Sequence, residues 1–242
     1  MERLRSLERA CDPVTVDIID GIGVQPGWDC LEMGAGAGSV AYWLAERCPD
    51  GKVVAADIDP RFLDPRRAGN VEIARMDITR DGFGEASFDF IHTRLLLTHL
   101  PQRDEILRAA ASWLKPGGYL LVEDLYVLPM DEADPALREV IKLLFDVILV
   151  HGADLRWGRK LPALLSQLGL SELGLRTSPL ALGLRDAAEL MWRNSWQQVL
   201  PFGVGTGLVD PAEADALTAA MDGPAIDPTA LIFSAWGRKA PA

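Results

Sequence analysis

Between the short run Trp28-Asp29-Cys30 and a segment from Ser39 to Cys48 lies Leu31-Glu32-Met33-Gly34-Ala35-Gly36-Ala37-Gly38, which restricts the fold more than any other stretch. The run before it reads as a buried strand. After it, Val40, Trp43, Leu44 and Arg47 fall at helical spacing. A strand passing through alternate glycines into a helix makes a βα turn open to close approach, because glycine admits positive φ and no Cβ shields the main-chain N–H groups. Partial positive charge at the helix N-terminus then favours an anion, whether a phosphate or the carboxylate of an amino acid.

The first half of the chain repeats this unit. Lys52 to Ala56 reads as a second strand, running into Asp57-Ile58-Asp59-Pro60, where Pro60 at a first helical turn makes Asp59 the expected N-cap of a helix through Phe62. Val71 to Met76 and Phe88 to His92 are the third and fourth strands. A helix opens at Leu95, is interrupted or restarted by Pro101, continues through Ile106, Leu107, Ala110 and Leu114, and stops at Lys115-Pro116-Gly117-Gly118 before a fifth strand, Tyr119 to Glu123. Such alternation argues for a parallel sheet covered on both faces. Ahead of it, Leu4, Leu7 and Ala10 outline a short amphipathic helix, and Asp12-Pro13 caps a second one through Ile19.

Beyond residue 125 the rhythm changes. Asp134-Pro135 opens a helix whose stripe is Leu137, Val140, Ile141, Leu144, Phe145, Ile148 and Leu149, with Gly152 placed to end it. A helix from Leu161 to Leu168, a strand from Leu173 to Thr177 and a tryptophan-bearing helix from Arg185 to Leu200 follow. A loop with Gly203, Gly205 and Gly207 comes next, then a helix capped by Asp210-Pro211, and Ala230 to Trp236 forms a last strand.

At 242 residues and 49% hydrophobic, the chain holds one substantial core, so we expect a single domain over 1–242. Its net charge of −11 opposes a nucleic-acid partner, which needs clustered Lys and Arg. The opening residues lack the apolar run of a signal peptide, and no stretch reaches membrane-span length. Cys11, Cys30 and Cys48 form no CxxC pair, so neither a disulfide framework nor a metal site is expected, and a reduced, cytoplasmic setting is the simplest account.

Glu32, Gly34, Gly36 and Gly38 resemble the first motif of the class I S-adenosylmethionine-dependent methyltransferases of the small-molecule type, and the resemblance runs from about residue 12 to residue 125. Val53 to Asp57, Asp77-Ile78 and Leu114 to Gly118 are similar to that family's later motifs, in the same order. The resemblance implies an α/β, Rossmann-like, doubly wound sheet of seven mostly parallel strands with an antiparallel last strand. Helices would cover both faces, an N-terminal helical segment would span 1–27, and helical inserts at 126–158 and 179–209 would form a lid. It implies S-adenosylmethionine as cofactor, S-adenosylhomocysteine as product and no metal. The cofactor-binding residues it implies are Glu32, Gly34, Ala35, Gly36, Gly38, Asp57, Ile58, Asp77, Ile78, Thr93 and Arg94.

Physical reasoning supports several of these roles. A carboxylate at a strand end accepts hydrogen bonds from both ribose hydroxyls, and Asp57 lies about twenty residues past the glycines, where a nucleoside-binding acid is expected. Asp57 as a mere helix cap is the competing reading, and Asp59 already fills that place. An unpaired Glu32 in a buried strand would be costly, which fits an acid awaiting the cofactor's amino group. Asp77 serves either the adenine edge or a turn. Thr93 and Arg94 leave the fourth strand at the edge where open α/β sheets bind ligands, and Arg94 has a substrate acid, Asp89 or Glu123 as alternative partners.

Methyl transfer needs alignment, and a general base only when the nucleophile arrives protonated. Candidates for catalysis are His99, inside Leu95-Leu96-Leu97-Thr98-His99-Leu100, His151 at the end of a lid helix, and Glu123 leaving the fifth strand. His92 ends the fourth strand. Trp157, Met191, Trp192, Trp196 and Phe202 concentrate in the inserts, as pocket wall, core or dimer contact. The glycine spacing G-x-G-x-G differs from the dinucleotide fingerprint G-x-G-x-x-G and argues against a nicotinamide enzyme. The expectation is a monomer or homodimer methylating an oxygen or nitrogen of a small, partly apolar molecule such as a natural-product intermediate. The alternative is a protein that keeps the fold and the cofactor pocket but catalyses a non-methylating reaction such as cyclisation or rearrangement.

Overall fold

The computed structural model describes residues 1–149 and 152–242, with Ala136 described by its backbone alone. Helix α1 (Glu2–Ile22) leads into β1 (Cys30–Met33), α2 (Ser39–Arg47), β2 (Val53–Asp57), β3 (Val71–Arg75), β4 (Phe88–Arg94) and α3 (Arg103–Trp113). The second half holds β5 (Leu114–Val127), α4 (Pro135–Leu149), α5 (Leu161–Gln167), β6 (Ser171–Leu182), α6 (Ala187–Gly205), α7 (Pro211–Ala220) and β7 (Asp227–Arg238). The strands form one seven-stranded sheet in the order β3-β2-β1-β4-β5-β7-β6. The five strands from β3 to β5 pair parallel, while β7 runs antiparallel between β5 and β6. The expected fold is the one observed.

Chain direction across the sheet reverses between β1 and β4, so the crevice outside their carboxyl ends is where a doubly wound sheet binds its ligand. One core joins α1 and α2 to one face through Ile18, Ile19, Val40, Leu44, Val53 and Phe90. A second sets α3 and α5 against the other face through Ile91, Leu107, Ala110, Leu161 and Leu165. A third, with Leu144, Phe145, Trp192 and Trp196, binds α4 and α6 to the far ends of β5, β6 and β7. Those three strands span 14, 12 and 12 residues against 4 to 7 for the others, and the surplus length carries the helical cover.

Several boundaries differ from expectation. β1 is shifted toward the glycines, so Glu32 sits inside the strand. The two N-terminal helices are one, with Pro13 in its interior. The proline removes one helical donor, but Arg9, whose carbonyl loses that donor, is exposed, and Thr15 and Asp12 tie the helix to the sheet. Likewise α6 runs through Pro201 and takes in Gly203, which was expected in a loop. A Cβ on Gly203 would meet Val209 at 2.9 Å, so its lack of a side chain admits the following loop. The helix expected from Leu95 to Leu100 is a 3-10 turn at Leu97–His99, and the one after Asp59 is a 3-10 turn at Pro60–Phe62, without a cap bond from the Asp59 side chain. The inserts begin later than expected, because β5 extends to Val127 and β6 to Leu182.

Candidate active site

At the carboxyl ends of β1, β2 and β4 the structure opens a cavity of about 290 Å³, joined to a smaller one of about 90 Å³ by the shared walls Gly34, Asp57 and Leu96. Gly34, Gly36 and Gly38 all take positive φ, at 74°, 58° and 89°. Only Leu4, at 3.7 Å, would face a Cβ on Gly36, so this turn presents bare backbone to the cavity. Gly38 is different. A Cβ there would lie 2.5 Å from the Tyr42 ring and 2.7 Å from Leu63, so this glycine is required by packing as well as conformation.

Asp57 ends β2 facing both cavities, one oxygen accepting the Gly36 N–H at 2.8 Å and the other the Asp59 N–H at 2.8 Å. The Asp57 carboxylate, and not that of Asp59, therefore satisfies the backbone leading into the next turn, while Asp59 pairs with Arg61. Each Asp57 oxygen keeps a second lone pair for a donor from outside. Ile58, Asp77 and Ile78 line the smaller cavity. Asp77 also builds its own turn, accepting the Thr79 N–H at 3.1 Å and hydroxyl at 2.7 Å through one oxygen. Those bonds hold its carboxyl below the usual range, and its other oxygen meets only Arg80, at 3.7 Å.

Behind the glycine turn runs a buried polar ladder across the sheet. Glu32 on β1 stands opposite His92 on β4, and Oε2 of Glu32 lies 2.7 Å from Nδ1 of the imidazole. Nε2 of His92 lies 2.9 Å from Oε2 of Glu123 on β5, whose other oxygen accepts the Ser234 hydroxyl at 2.6 Å from β7. The Thr15 hydroxyl of α1 donates to Glu123 at 2.5 Å and accepts from Arg94 at 2.7 Å, and Arg94 also bonds Asp12 at 2.7 Å. Burial opposes the imidazolium, but the two glutamates outweigh it and raise the His92 pKa to about 9. For Glu123, the bond and charge of His92 overcome burial and hold the carboxyl low. Burial dominates at Glu32 and raises its pKa. Among the described residues no donor reaches Oε1 of Glu32, which lines the cavity.

The structure thus gathers Glu32, Gly34, Ala35, Gly36, Asp57, Arg94 and His99 at the larger cavity and Ile58, Asp77 and Ile78 at the smaller. Gly38 stands behind the turn. Other expectations fail on placement. Glu123 is 1% exposed with every oxygen engaged in the ladder, so it does not face a substrate. Arg94 pairs with Asp12 in place of Asp89 or Glu123, because Lys115 already bridges Asp29 and Asp89, each at 2.8 Å. Thr93 is buried beneath the site and its hydroxyl has no hydrogen-bond partner. His151 lies outside the described residues. Of the aromatic and methionine side chains, Met191 and Trp192 line the cavity. Trp157 and Trp196 are core residues bonded to Asp104 and Thr218, and Phe202 is exposed.

Sequence reasoning missed the contribution of α1. Arg3, Leu4, Leu7 and Glu8 close the cavity from above, and Glu8 accepts the first free N–H of α2, from Ser39, at 3.3 Å. Their helical spacing was visible, but where the helix docks was not. Leu95, at a φ of 52° rare for a branched side chain, donates its N–H to the Glu123 carbonyl at 2.8 Å and turns the chain toward Leu96 and His99 at the cavity wall. His99 makes no side-chain hydrogen bond among the described residues. Desolvation and the nearby charges of Arg3 and Arg103 lower its pKa.

The strand order with its reversed β7, and the glycine turn with an acid at the end of the next strand, define a class. Residues 31–122 match the family model of the methyltransferase domain, in line with the resemblance of this stretch to the class I S-adenosylmethionine-dependent methyltransferases. Among curated relatives, Methyltransferase str2 of Strobilurus tenacellus is 34% identical over 155 residues, covering 60% of this chain and 54% of that protein. The chain spans about half the length of the curated relatives it matches first. Among solved structures, phosphoethanolamine N-methyltransferase 2 of Haemonchus contortus, in complex with phosphomonomethylethanolamine and S-adenosylhomocysteine, has a TM-score of 0.61 at 17% identity. That match covers 95% of this chain and 53% of the other. The [4+2]-cyclase SpnF has a TM-score of 0.60 at 16% identity, covering 96% and 81%. These structural likenesses are of fold. No described helix is long and apolar enough to cross a membrane, and among the described residues no acid, His and Cys cluster is placed to hold a metal.

Proposed function

We propose that the chain is a methyltransferase that binds S-adenosylmethionine in the two joined cavities and methylates an oxygen or nitrogen of a small, partly apolar molecule. The observation that carries this reading is the adjacency of the two cavities, which share Gly34, Asp57 and Leu96 as walls and set side by side a bare-backbone turn, a Glu32 oxygen that no donor reaches among the described residues, and a strand-end aspartate. An amino-acid end, a ribose and an adenine ask for those features in that order. Glu32 Oε1 would take the amino group, the backbone from Gly34 to Gly36 the methionine portion, Asp57 the ribose hydroxyls, and Ile58, Asp77 and Ile78 the base.

The cofactor supplies a methyl carbon made electrophilic by a sulfonium. The chain's own residues align and enclose. Leu125, Ile148, Leu180, Met191 and Trp192 give the rest of the larger cavity an apolar wall that excludes water and holds an apolar body against the groove. His99 is exposed at that wall with no hydrogen-bond partner, and its lowered pKa leaves it neutral at pH 7, able to take a proton from a hydroxyl or ammonium acceptor. Arg94 holds α1 closed over the groove through Asp12 and Thr15.

The test is calorimetry with S-adenosylmethionine and S-adenosylhomocysteine, followed by a screen of small acceptors with methyl-labelled cofactor. Micromolar binding together with label transfer supports the reading. Failure of both cofactor forms to bind refutes it. Tight binding without any labelled product assigns the fold to a non-methylating reaction instead.

A further inference from the structure

One cation at the site has no counter-charge. Arg3 lines the larger cavity, is half-buried, and its guanidinium makes no hydrogen bond or ion pair with any described residue. The other buried cation there, Arg94, is fully engaged by Asp12 and Thr15. A half-buried guanidinium has lost part of its hydration without a partner, which is costly unless a ligand supplies an anion.

The larger cavity runs from the glycine turn to α6, and Arg3 lines it from α1. Its neighbour Ser6 accepts a hydrogen bond from Asn194 of α6 at 3.1 Å, so this end of α1 lies against the helix that carries Met191, Trp192 and Ser195. The charge of Arg3 is also felt by His99 on the 3-10 turn. Of the three acids on the cavity wall, Glu8 takes the Ser39 N–H, Glu32 takes His92 through one oxygen, and Asp57 takes the Gly36 and Asp59 N–H groups; none pairs with Arg3. At the Arg3 corner the cavity therefore joins one cation and one imidazole to the apolar wall of Met191 and Trp192, while the Ser195 hydroxyl donates to the Met191 carbonyl at 2.8 Å.

We propose that the acceptor is a small amphiphile with an apolar body and an oxyanion, a carboxylate or a phosphate, which pairs with Arg3 beside His99. This deepens the methyltransferase reading and rests on it. Arg3 is a binding and specificity residue for the acceptor and takes no part in holding the cofactor.

The test uses protein saturated with S-adenosylhomocysteine and measures dissociation constants for cinnamate, octanoate and phenyl phosphate, each beside a neutral counterpart: cinnamamide, octanamide and phenol. The acids should bind at least tenfold more tightly than their neutral partners. In R3Q that preference should vanish, in R3K it should return in part, and the affinity for S-adenosylhomocysteine should stay within twofold in both. Whether the carboxylates or phenyl phosphate show the larger preference tells which oxyanion the corner takes. No acid preference in the wild type, or a preference that survives in R3Q, overturns the proposal. An equal loss of S-adenosylhomocysteine affinity in R3Q also overturns it, by assigning Arg3 to the cofactor's carboxylate. Failure of the wild type to bind S-adenosylhomocysteine at all is a separate result that removes the methyltransferase reading itself.

Discussion

Two glycines of the same turn answer to different constraints, and replacing each by alanine separates stability from binding. At Gly38, alanine must accept a φ of 89°, which costs an L-residue roughly 1–2 kcal/mol. Its Cβ must also fit where the Tyr42 ring stands at 2.5 Å and Leu63 at 2.7 Å. Tyr42 cannot easily withdraw, because its hydroxyl donates to the Asp64 carbonyl at 3.1 Å and accepts the Asp64 N–H at 2.6 Å. Overpacking of this kind adds about 1–3 kcal/mol. The total for G38A is roughly 2–5 kcal/mol, and the pinned ring places it in the upper half of that range. For a chain of this size that lowers the melting temperature by about 7–20 °C. At Gly36 the Cβ meets only Leu4 at 3.7 Å, so G36A costs about 1–2 kcal/mol in backbone strain, while a methyl group enters the cavity where the cofactor's methionine end is placed. Urea melts and calorimetry with S-adenosylhomocysteine should therefore give opposite rankings: G38A the less stable of the two, and G36A only about 1–2 kcal/mol below the wild type but at least tenfold weaker in binding. A G38A protein melting within 2 °C of the wild type would refute the packing argument, and unchanged affinity in G36A would move the cofactor off this turn.

Three further outcomes are expected. Because the folded pKa of His92, about 9, lies above its unfolded value, its contribution is complete below about pH 6.5 and is lost as pH rises through 9. Urea melts from pH 6 to pH 10 should show that decline, and H92Q should flatten it while costing about 3–5 kcal/mol at pH 7 through the buried glutamates left behind. D57A should weaken binding of S-adenosylmethionine by 10- to 100-fold, since a charged hydrogen bond contributes roughly 1.5–3 kcal/mol; unchanged affinity would move the ribose role to Asp59. H99Q should lower kcat about 100-fold or more for an acceptor that arrives protonated and leave cofactor affinity unchanged, whereas an unaltered pH–rate profile would exclude His99 as the base.

What the sequence disclosed follows from how local each signal is. The glycine turn, Asp57 and the βα alternation are set by spacings within a few dozen residues, and strand periodicity with turn chemistry was enough to read them. Pro13 and Pro201 misled because a proline signals a helix break locally, and both helices are held through it by contacts with distant parts of the chain, such as Thr15 with Glu123. Asp57 and Asp59 exchanged their capping roles because the strand ends one residue later than its β-branched run. Glu123 resembled a free acid at a strand end, yet only the register of β4, β5 and β7 reveals that His92 and Ser234 flank it. Arg3 escaped notice for the same reason, since nothing within ten residues of it in the chain indicates that α1 roofs the cavity.

The ladder from Glu32 through His92 and Glu123 to Thr15, Arg94 and Asp12 also restricts how this protein can drift. His92, Glu123, Thr15 and Arg94 are each held by two other members, so changing one strands a partner in the interior, and the cost of the second change depends on the first. Single-step variation is closed along this row, and paired exchanges such as His92 with Glu123 are the open route. Sequence change should therefore accumulate in the apolar wall, where Leu125, Ile148 and Met191 can be exchanged one at a time. The chemistry of the groove is thereby locked by epistasis, while the choice of acceptor remains free to wander.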